Sequence, residues 1–335
     1  MTIFQAWRDG IRRVNEAPAI LFGVWLMTAL VSLPLALVMR GMLEQHLGAS
    51  LAADAAARGV NYDWMQEFGE QAAGLGLALR PTIIGFGAVL DNLSAFIDNE
   101  HRPLVVGGAA LGYVVLWMFV AGGIIDRYAR DRATRAHGFF AASGVFFFRF
   151  LRLGVVMGIV YGLLFGYVHT WLFGSLYPRL THDLTVERTA FFVRVGLYLV
   201  FGVVLAGCNL IFDYAKVRAV VEDRRSMLGA LRAAAHFVRR NAAAAALLYL
   251  ADFVLFGAAL GLYAAAAPGA GSSLWSTWLG FAIGQIYVLA RLWVKLIFWA
   301  SETALFQGRL AHAGYVAAPE PRWPESPAAE AIERS

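Results

Sequence analysis

The chain alternates long apolar runs with shorter segments that carry most of its charge. Six runs are nearly continuous in apolar residues over about 20 positions, without the two-residue alternation of a half-buried strand. They are Pro18–Val38, Leu104–Ile125, Leu153–Phe173, Ala190–Phe212, Ala242–Ala267 and Trp275–Ala300. As helices rising 1.5 Å per residue, all six can cross a hydrocarbon core about 30 Å thick. The pattern predicts an all-α, polytopic transmembrane helical bundle with six spans.

Composition agrees with a membrane protein. Hydrophobic residues make up 59% of the 335 residues and charged residues 15%, against about 45–50% and about 25% in soluble domains. A bilayer accommodates this apolar surface, because lipid-facing positions need no polar side chains. We expect one integral membrane domain, residues 1–306, and a Pro-rich cytoplasmic tail, residues 307–335. The first run exceeds the apolar part of a typical signal peptide, so we expect a retained anchor.

Arginine and lysine are concentrated on alternate connections. The segment before the first span is rich in arginine, and so are the connections between spans two and three and between spans four and five. Because such segments stay in the cytoplasm, this distribution predicts cytoplasmic N and C termini. It also accounts for the net charge of +5, so nucleic-acid binding is not expected. The expected partners are the lipid bilayer, including anionic lipid headgroups, and a further membrane protein.

Each odd-numbered span is preceded by or overlaps a basic amphipathic stretch: Phe4–Val14, Phe139–Leu153 and Met227–Arg240. Such stretches favour helices at a membrane surface, with apolar residues in lipid and arginines near headgroups. The pattern fits a threefold repeat of interfacial helix, outward span and return span. It also fits six spans with basic inner connections and no repeat, and the sequence leaves both interpretations open.

One of these stretches carries a family resemblance. Residues 214–224 read Tyr-Ala-Lys-Val-Arg-Ala-Val-Val-Glu-Asp-Arg and lead into Met227–Arg240 and the fifth span. This order resembles bacterial membrane domains of the glycerophosphodiester phosphodiesterase-associated type, in which a Val-Val-Glu segment precedes an amphipathic helix and a span. The whole chain is also similar to six-span bacterial inner-membrane proteins of unknown function. These resemblances imply a bacterial inner-membrane location and no particular activity. Mitochondrial carriers are also threefold, but their Pro-x-acid-x-x-base signature after each odd-numbered span is missing from this sequence. The sequence therefore does not resemble that family.

Residues 41–102, between the first two spans, form the largest segment outside the predicted membrane core. Helical spacing predicts a helix over Met42–Ala57, and Asp63 with Gln66 fits a capping box for the next helix. Thr82–Ile97 is apolar but short and interrupted by polar residues. We expect a helix on the outer face over residues 82–97, with a re-entrant segment as the alternative.

Glycines recur at every fourth position of the third span: Gly154, Gly158, Gly162 and Gly166. At 3.6 residues per turn they fall on one slowly winding stripe where another helix can approach closely. The stripe predicts helix packing of the glycine-zipper kind, either within one bundle or at a homodimer seam.

Ionisable residues within the spans are candidate functional residues, because each costs about 2.5–3.5 kcal/mol at bilayer depth. Asp252 lies in span five, and Arg291 and Lys295 lie in span six. Counted from Asn241 and Glu302, Asp252 and Arg291 are both about 16 Å from the inner boundary. The spacing predicts either an ion pair that fixes the register of the two spans or an anion site with Arg291 and Lys295 as its cationic wall.

The sequence offers no catalytic motif, no metal-ligand spacing and no cofactor fingerprint. In the outer segment, His46 and His101 with Glu44 and Glu100 are a weak candidate for the active site of an enzyme that acts on lipids. The sequence therefore favours a non-enzymatic structural or accessory membrane protein that engages lipids or a partner. The alternative is a transporter or permease-like protein that uses the region of Asp252, Arg291 and Lys295.

Overall fold

Helices make up nearly all of the chain that the structure describes. The computed structural model describes residues 1–48, 50–58, 61–80, 85–267 and 274–310, and no strand occurs in these ranges. The helices are α1 (Ile3–Asn15), α2 (Pro18–Leu47), α3 (Ala53–Arg58), α4 (Tyr62–Gln71), α5 (Gly85–Ile97), α6 (Leu104–Arg130), α7 (Ala136–Leu163), α8 (Tyr177–Thr181), α9 (Glu187–Val221), α10 (Met227–Arg240), α11 (Ala242–Ala266) and α12 (Leu274–Arg309). The predicted all-α class is confirmed.

Six helices are long and apolar enough to cross a membrane: α2, α6, α7 with its continuation to Thr181, α9, α11 and α12. Large apolar side chains cover their outer surfaces; Leu26, Leu111 and Ile159, for example, are all more than half exposed. Lipid is the environment in which such a surface is stable. The predicted six-span integral membrane protein is confirmed at this level. Beyond Leu163, two π-helical turns, Leu164–His169 and Leu172–Leu176, continue α7 to α8.

Most spans extend further than their apolar runs, and α2 and α12 are two examples. α2 continues through Arg40 and Glu44 to Leu47, and α3 begins at Ala53, so the predicted helix over Met42–Ala57 is divided between α2 and α3. α12 continues beyond Ala300 to Arg309, and residues 301–306 are buried. Residues 301–306 pack against other helices, so they do not mark a membrane boundary. The predicted tail thus begins as helix, and residues 311–335 lie outside the described residues.

The segment between α2 and α6 forms a cap at one end of the bundle. Its helix α4 is capped at the N-terminus by Asn61, whose side chain accepts a hydrogen bond from the Trp64 amide at 3.0 Å. The predicted capping box from Asp63 is therefore wrong by two positions. His169, at the end of the π-helical turn that follows α7, lies 2.8 Å from the carbonyl oxygen of Ile97 and holds α5 against the bundle. Of the predicted helix over 82–97, residues 85–97 are helical, and 82–84 lie outside the described ranges.

At the other end, which we call the basic end, lie α1, residues 131–135 and residues 222–226. α1 packs along α12, with Ala6 and Val14 buried. Arg13 donates hydrogen bonds to the Tyr128 carbonyl at 2.7 Å and to Gln307 at 2.9 Å. Arg12 contacts Asp131 at 2.6 Å. The first helix is thus a packed part of the bundle.

The three basic stretches differ in structure. Phe4–Val14 and Met227–Arg240 correspond to the separate helices α1 and α10, whereas Phe139–Leu153 lies inside the continuous helix α7. The middle unit of the proposed repeat therefore lacks a separate interfacial helix. No proline occurs between Ala136 and Leu163, so the helix continues without a break from this stretch into the span.

The glycine stripe of the third span is only partly in contact with other helices. A methyl group at Gly154 would overlap the Met118 side chain of α6. A methyl group at Gly158, Gly162 or Gly166 would meet no atom within 4 Å. Within one chain, the predicted close packing is therefore confined to Gly154. Other close glycine contacts occur at Gly122 and Gly123 of α6, which lie against α7.

Candidate anion site within the membrane domain

A cavity of about 540 Å³ lies among five spans: α6, α7, α9, α11 and α12. Four charged side chains reach its wall, namely Asp213, Lys216, Arg291 and Lys295. Much of the remaining wall is apolar or aromatic, as in ligand pockets of this size. Two residues of the predicted site, Arg291 and Lys295, therefore face a common space.

Asp213 organises the wall contributed by α9. Its carboxylate accepts hydrogen bonds from Lys216 at 2.7 Å, from Trp299 at 3.2 Å and from Asn209 at 3.3 Å. Asn209 also donates to Tyr249 of α11 at 2.9 Å. Because these partners come from α9, α11 and α12, the network fixes the three helices around the cavity. The negative charge of Asp213 is neutralised by its ion pair with Lys216.

Arg291 and Lys295 are placed differently. They lie four residues apart on α12, so they share one face and are separated by about 6 Å along the axis. The Lys295 ammonium lies 3.7 Å from the centre of the Trp117 ring, a cation–π contact. Among the described residues, neither side chain has a carboxylate within ion-pair distance. Lys295 is exposed, and it is one of the residues that line the cavity.

The predicted pair between Asp252 and Arg291 does not form. Asp252 is fully buried and accepts a hydrogen bond from Ser301 at 2.8 Å. From the start of α11, Asp252 lies about 15 Å into the bundle, and Ser301 lies about 12 Å from the end of α12. Arg291 lies about 27 Å from that end. The prediction failed because Glu302 was taken as the boundary, whereas α12 continues seven residues further.

A second group of buried polar residues surrounds Asp252, apart from the cavity wall. Glu302 is 1% exposed, and neither of its carboxylate oxygens has a hydrogen-bond partner among the described residues. The Tyr214 hydroxyl is also buried without a partner there. α1 covers this region so closely that Gly10 approaches the Ser301 backbone. Of the three predicted site residues, Asp252 thus belongs to a sealed region, and Arg291 and Lys295 belong to the cavity.

Sequence reasoning missed the α9 side of the site. The predicted fourth span ended at Phe212, one residue before Asp213, and Lys216 was interpreted only as part of the basic connection. A signal was nevertheless present, since Asn209, Asp213 and Lys216 recur at intervals of four and three and share a helical face. A polar stripe of this kind at the end of an apolar run indicates a helix face directed into protein.

In the weaker candidate group, His46 and His101 with Glu44 and Glu100, three of the four residues are engaged in other contacts. His46 accepts a hydrogen bond from Trp64 at 2.9 Å, Glu44 pairs with Arg40 at 2.7 Å, and Glu100 pairs with Arg80 at 3.0 Å. Each therefore has a partner outside the proposed group. In the part of the chain that the structure describes, no three His, Cys, Asp or Glu side chains form a metal-binding group.

Comparison with known proteins adds no assignment. No protein-family model matches the chain, and neither the curated proteins nor the solved structures include a significant match. The function must therefore be argued from the cavity.

Proposed function

We propose that this integral membrane protein engages lipid by binding an anionic headgroup in the cavity between α6, α7, α9, α11 and α12. One observation carries the proposal: Arg291 and Lys295 line this cavity without a carboxylate partner among the described residues. Among the described residues that line the cavity, three cationic side chains face the single carboxylate of Asp213, so two positive charges are uncompensated. A bound anion would compensate them.

The energetic argument concerns the cost of these charges. A cation at bilayer depth costs about 2.5–3.5 kcal/mol, and this cost is reduced by an ion partner or by access to water. Lys216 has its partner in Asp213 at 2.7 Å. Lys295 has instead an aromatic contact, which offsets about 0.5–2 kcal/mol. The cavity therefore favours a ligand with negative charge at the level of Arg291 and Lys295.

The rest of the wall fits the apolar part of a lipid. Val114, Met118, Leu153, Met157 and Phe256 line the cavity from three different spans. A soluble anion would leave these side chains against water, whereas an acyl or isoprenoid chain would cover them. The combination of an apolar wall and unpaired cations supports an anionic amphiphile as ligand.

We further propose that the basic end faces the cytoplasm of a bacterial inner membrane, with both termini on that side. The support is the concentration of arginine in α1, in residues 131–135 and in the segment from residue 216 to residue 240. Reporter fusions after residues 61, 132, 183 and 225 would test this orientation. A cytoplasmic signal from residue 61 or 183 would contradict it.

The lipid proposal can be tested by measuring binding to the purified full chain in detergent. We expect phosphatidylglycerol to bind more tightly than phosphatidylcholine with the same acyl chains. Lys295→Gln and Arg291→Gln should each lower that affinity about 10- to 100-fold, because each removes a charge-assisted contact of about 1.5–3 kcal/mol. Native mass spectrometry with titrated lipid gives both affinities.

Arg239→Gln is the matched control, because Arg239 is exposed on α10 and lies away from the cavity. It should leave lipid affinity unchanged. If the three variants behave alike, or if both lipids bind equally to the wild type, the cavity is not an anionic lipid site. Size-exclusion profiles identify variants that lose binding only because they are misfolded.

A further inference from the structure

We infer that the preferred headgroup is a phosphomonoester, a group that carries nearly two negative charges at neutral pH. This inference rests on the proposed function and specifies the chemistry of its ligand. It starts from the charge balance of the cavity wall, in which Lys216 is paired with Asp213, whereas Arg291 and Lys295 have no carboxylate partner in the part of the chain that the structure describes. A phosphodiester headgroup has a single negative charge and would leave one cation uncompensated.

The hydrogen-bonding capacity of the wall leads to the same chemistry. Lys295 has three donor hydrogens and Arg291 has five, and neither residue has an acceptor function. The polar groups on the α9 side, Asn209 and Asp213, already bond to protein partners. The ligand must therefore supply many acceptors and needs no donor. The three terminal oxygens of a phosphomonoester meet this requirement, whereas a phosphodiester has two free oxygens.

The placement of the two cations allows both to contact one phosphate. Arg291 and Lys295 are one helical turn apart on the same face of α12, with about 5–6 Å between their β-carbons. Their side chains are flexible and long enough to converge on a group between them. Arginine suits the role because its planar guanidinium can contact two phosphate oxygens at once. Lysine adds a point charge from the side of Trp117.

The same chemistry is available from two sources, a lipid phosphomonoester and free inorganic phosphate. The apolar side chains of the wall, such as Met118, Met157 and Phe256, favour the lipid, because its chain would cover them. Inorganic phosphate would interact with the cations alone. A comparison of phosphatidic acid with inorganic phosphate therefore distinguishes the sources.

The experiment measures binding of phosphatidic acid, phosphatidylglycerol and inorganic phosphate to the full chain in one detergent at neutral pH, with identical acyl chains on the two lipids. We expect phosphatidic acid to bind about tenfold more tightly than phosphatidylglycerol, since it gains one charge-assisted contact. Lys295→Gln and Arg291→Gln should each reduce this ratio to near one. Lys295→Met serves as a second variant, since its uncharged side chain is suited to an apolar wall should glutamine impair folding.

The outcomes separate the two proposals. Equal affinity for both lipids, lowered by Lys295→Gln, would overturn the phosphomonoester inference and leave the anionic-lipid site in place. Affinities that respond to neither Lys295 nor Arg291 would overturn both. If inorganic phosphate binds as tightly as phosphatidic acid, the phosphate chemistry is supported and the lipid as its source is refuted. Arg239→Gln should change none of the three affinities.

Discussion

The contact between α1 and α12 makes a sharp prediction about Gly10. A β-carbon added at Gly10 would lie 2.7 Å from both the Cα and the backbone N of Ser301. An ordinary contact of that kind needs at least 3.4 Å. The backbone of α12 cannot rotate away as a flexible side chain can, so Gly10→Ala must push α1 outward by about 0.7 Å. The displacement would loosen the cover over Asp252.

The expected change in the free energy of unfolding of Gly10→Ala follows from two opposing effects. Overpacking of a well-packed contact costs about 1–3 kcal/mol. Replacing an interior helical glycine by alanine stabilises the helix by about 0.8–1 kcal/mol. Gly158→Ala is the matched control, because Gly158 is also inside a helix but its added methyl group meets nothing within 4 Å. The propensity gain cancels between the variants, so their free energies of unfolding should differ by about 1–3 kcal/mol, with Gly10→Ala the less stable.

The chain contains a single cysteine, half-buried Cys208, which provides the assay. A thiol-reactive fluorophore reports its exposure as the protein unfolds in detergent, and the transition can be compared between variants. Trypsin cleavage after Arg12 and Arg13 gives an independent measure of α1 release. Equal stability of Gly10→Ala and Gly158→Ala would refute the packing of α1 on Ser301. A loss of oligomer with Gly158→Ala would instead indicate a homodimer seam at the exposed glycines.

Two further predictions concern the carboxylates of Asp252 and Asp131. Asp252→Leu should change the free energy of unfolding by no more than about 1 kcal/mol, because it exchanges one hydrogen bond from Ser301 for a buried apolar group; a loss of 3–5 kcal/mol in a denaturation experiment would point to a buried ion pair instead. Burial tends to raise the pKa of the Asp131 carboxyl, but the hydrogen bond from Arg12 and the neighbouring guanidinium charges outweigh it and lower that pKa. The resulting stabilisation is present above the unfolded pKa of about 3.9 and is lost as pH falls below it. Asp131→Asn should therefore lose less thermal stability than the wild type between about pH 5 and 3, and equal losses would contradict the contact.

The span count could be predicted from the sequence because lipid imposes a strict requirement on side chains over the whole membrane thickness. The span ends could not, because beyond the hydrocarbon core protein packing replaces that requirement. Glu302 illustrates the difference: a charged residue after an apolar run suggests a boundary, yet it is buried inside the bundle. The polar continuation of α2 to Leu47 has the same origin. An error in the predicted end of a span then changes the estimated membrane depth of every residue that is counted from that end.

The depth error accounts for what was missed in the candidate site. Sequence spacing correctly placed Arg291 and Lys295 on one face of a helix, because both lie on the same element. It could not give their relation to Asp252, which depends on how far α11 and α12 slide past each other. Asn209 and Asp213 were missed for a similar reason, since the fourth span was ended too early. Relations within a helix follow from its geometry, whereas relations between helices depend on packing contacts distributed over the whole bundle.

Along α12, the acidic residue Glu302 is separated from the basic residues Arg291 and Lys295. This separation is relevant to the role of the two cations. Glu302 and Lys295 lie seven residues apart on one helix, near the same face, yet the buried acid has no hydrogen-bond partner and the base has no carboxylate among the described residues. An arrangement governed by stability alone would pair them or replace both by apolar residues. Lys295 instead faces a cavity, together with Arg291, at a depth where an unpaired charge is costly. Unpaired cations that line a cavity at such a depth are typical of a binding site whose ligand completes the electrostatic balance.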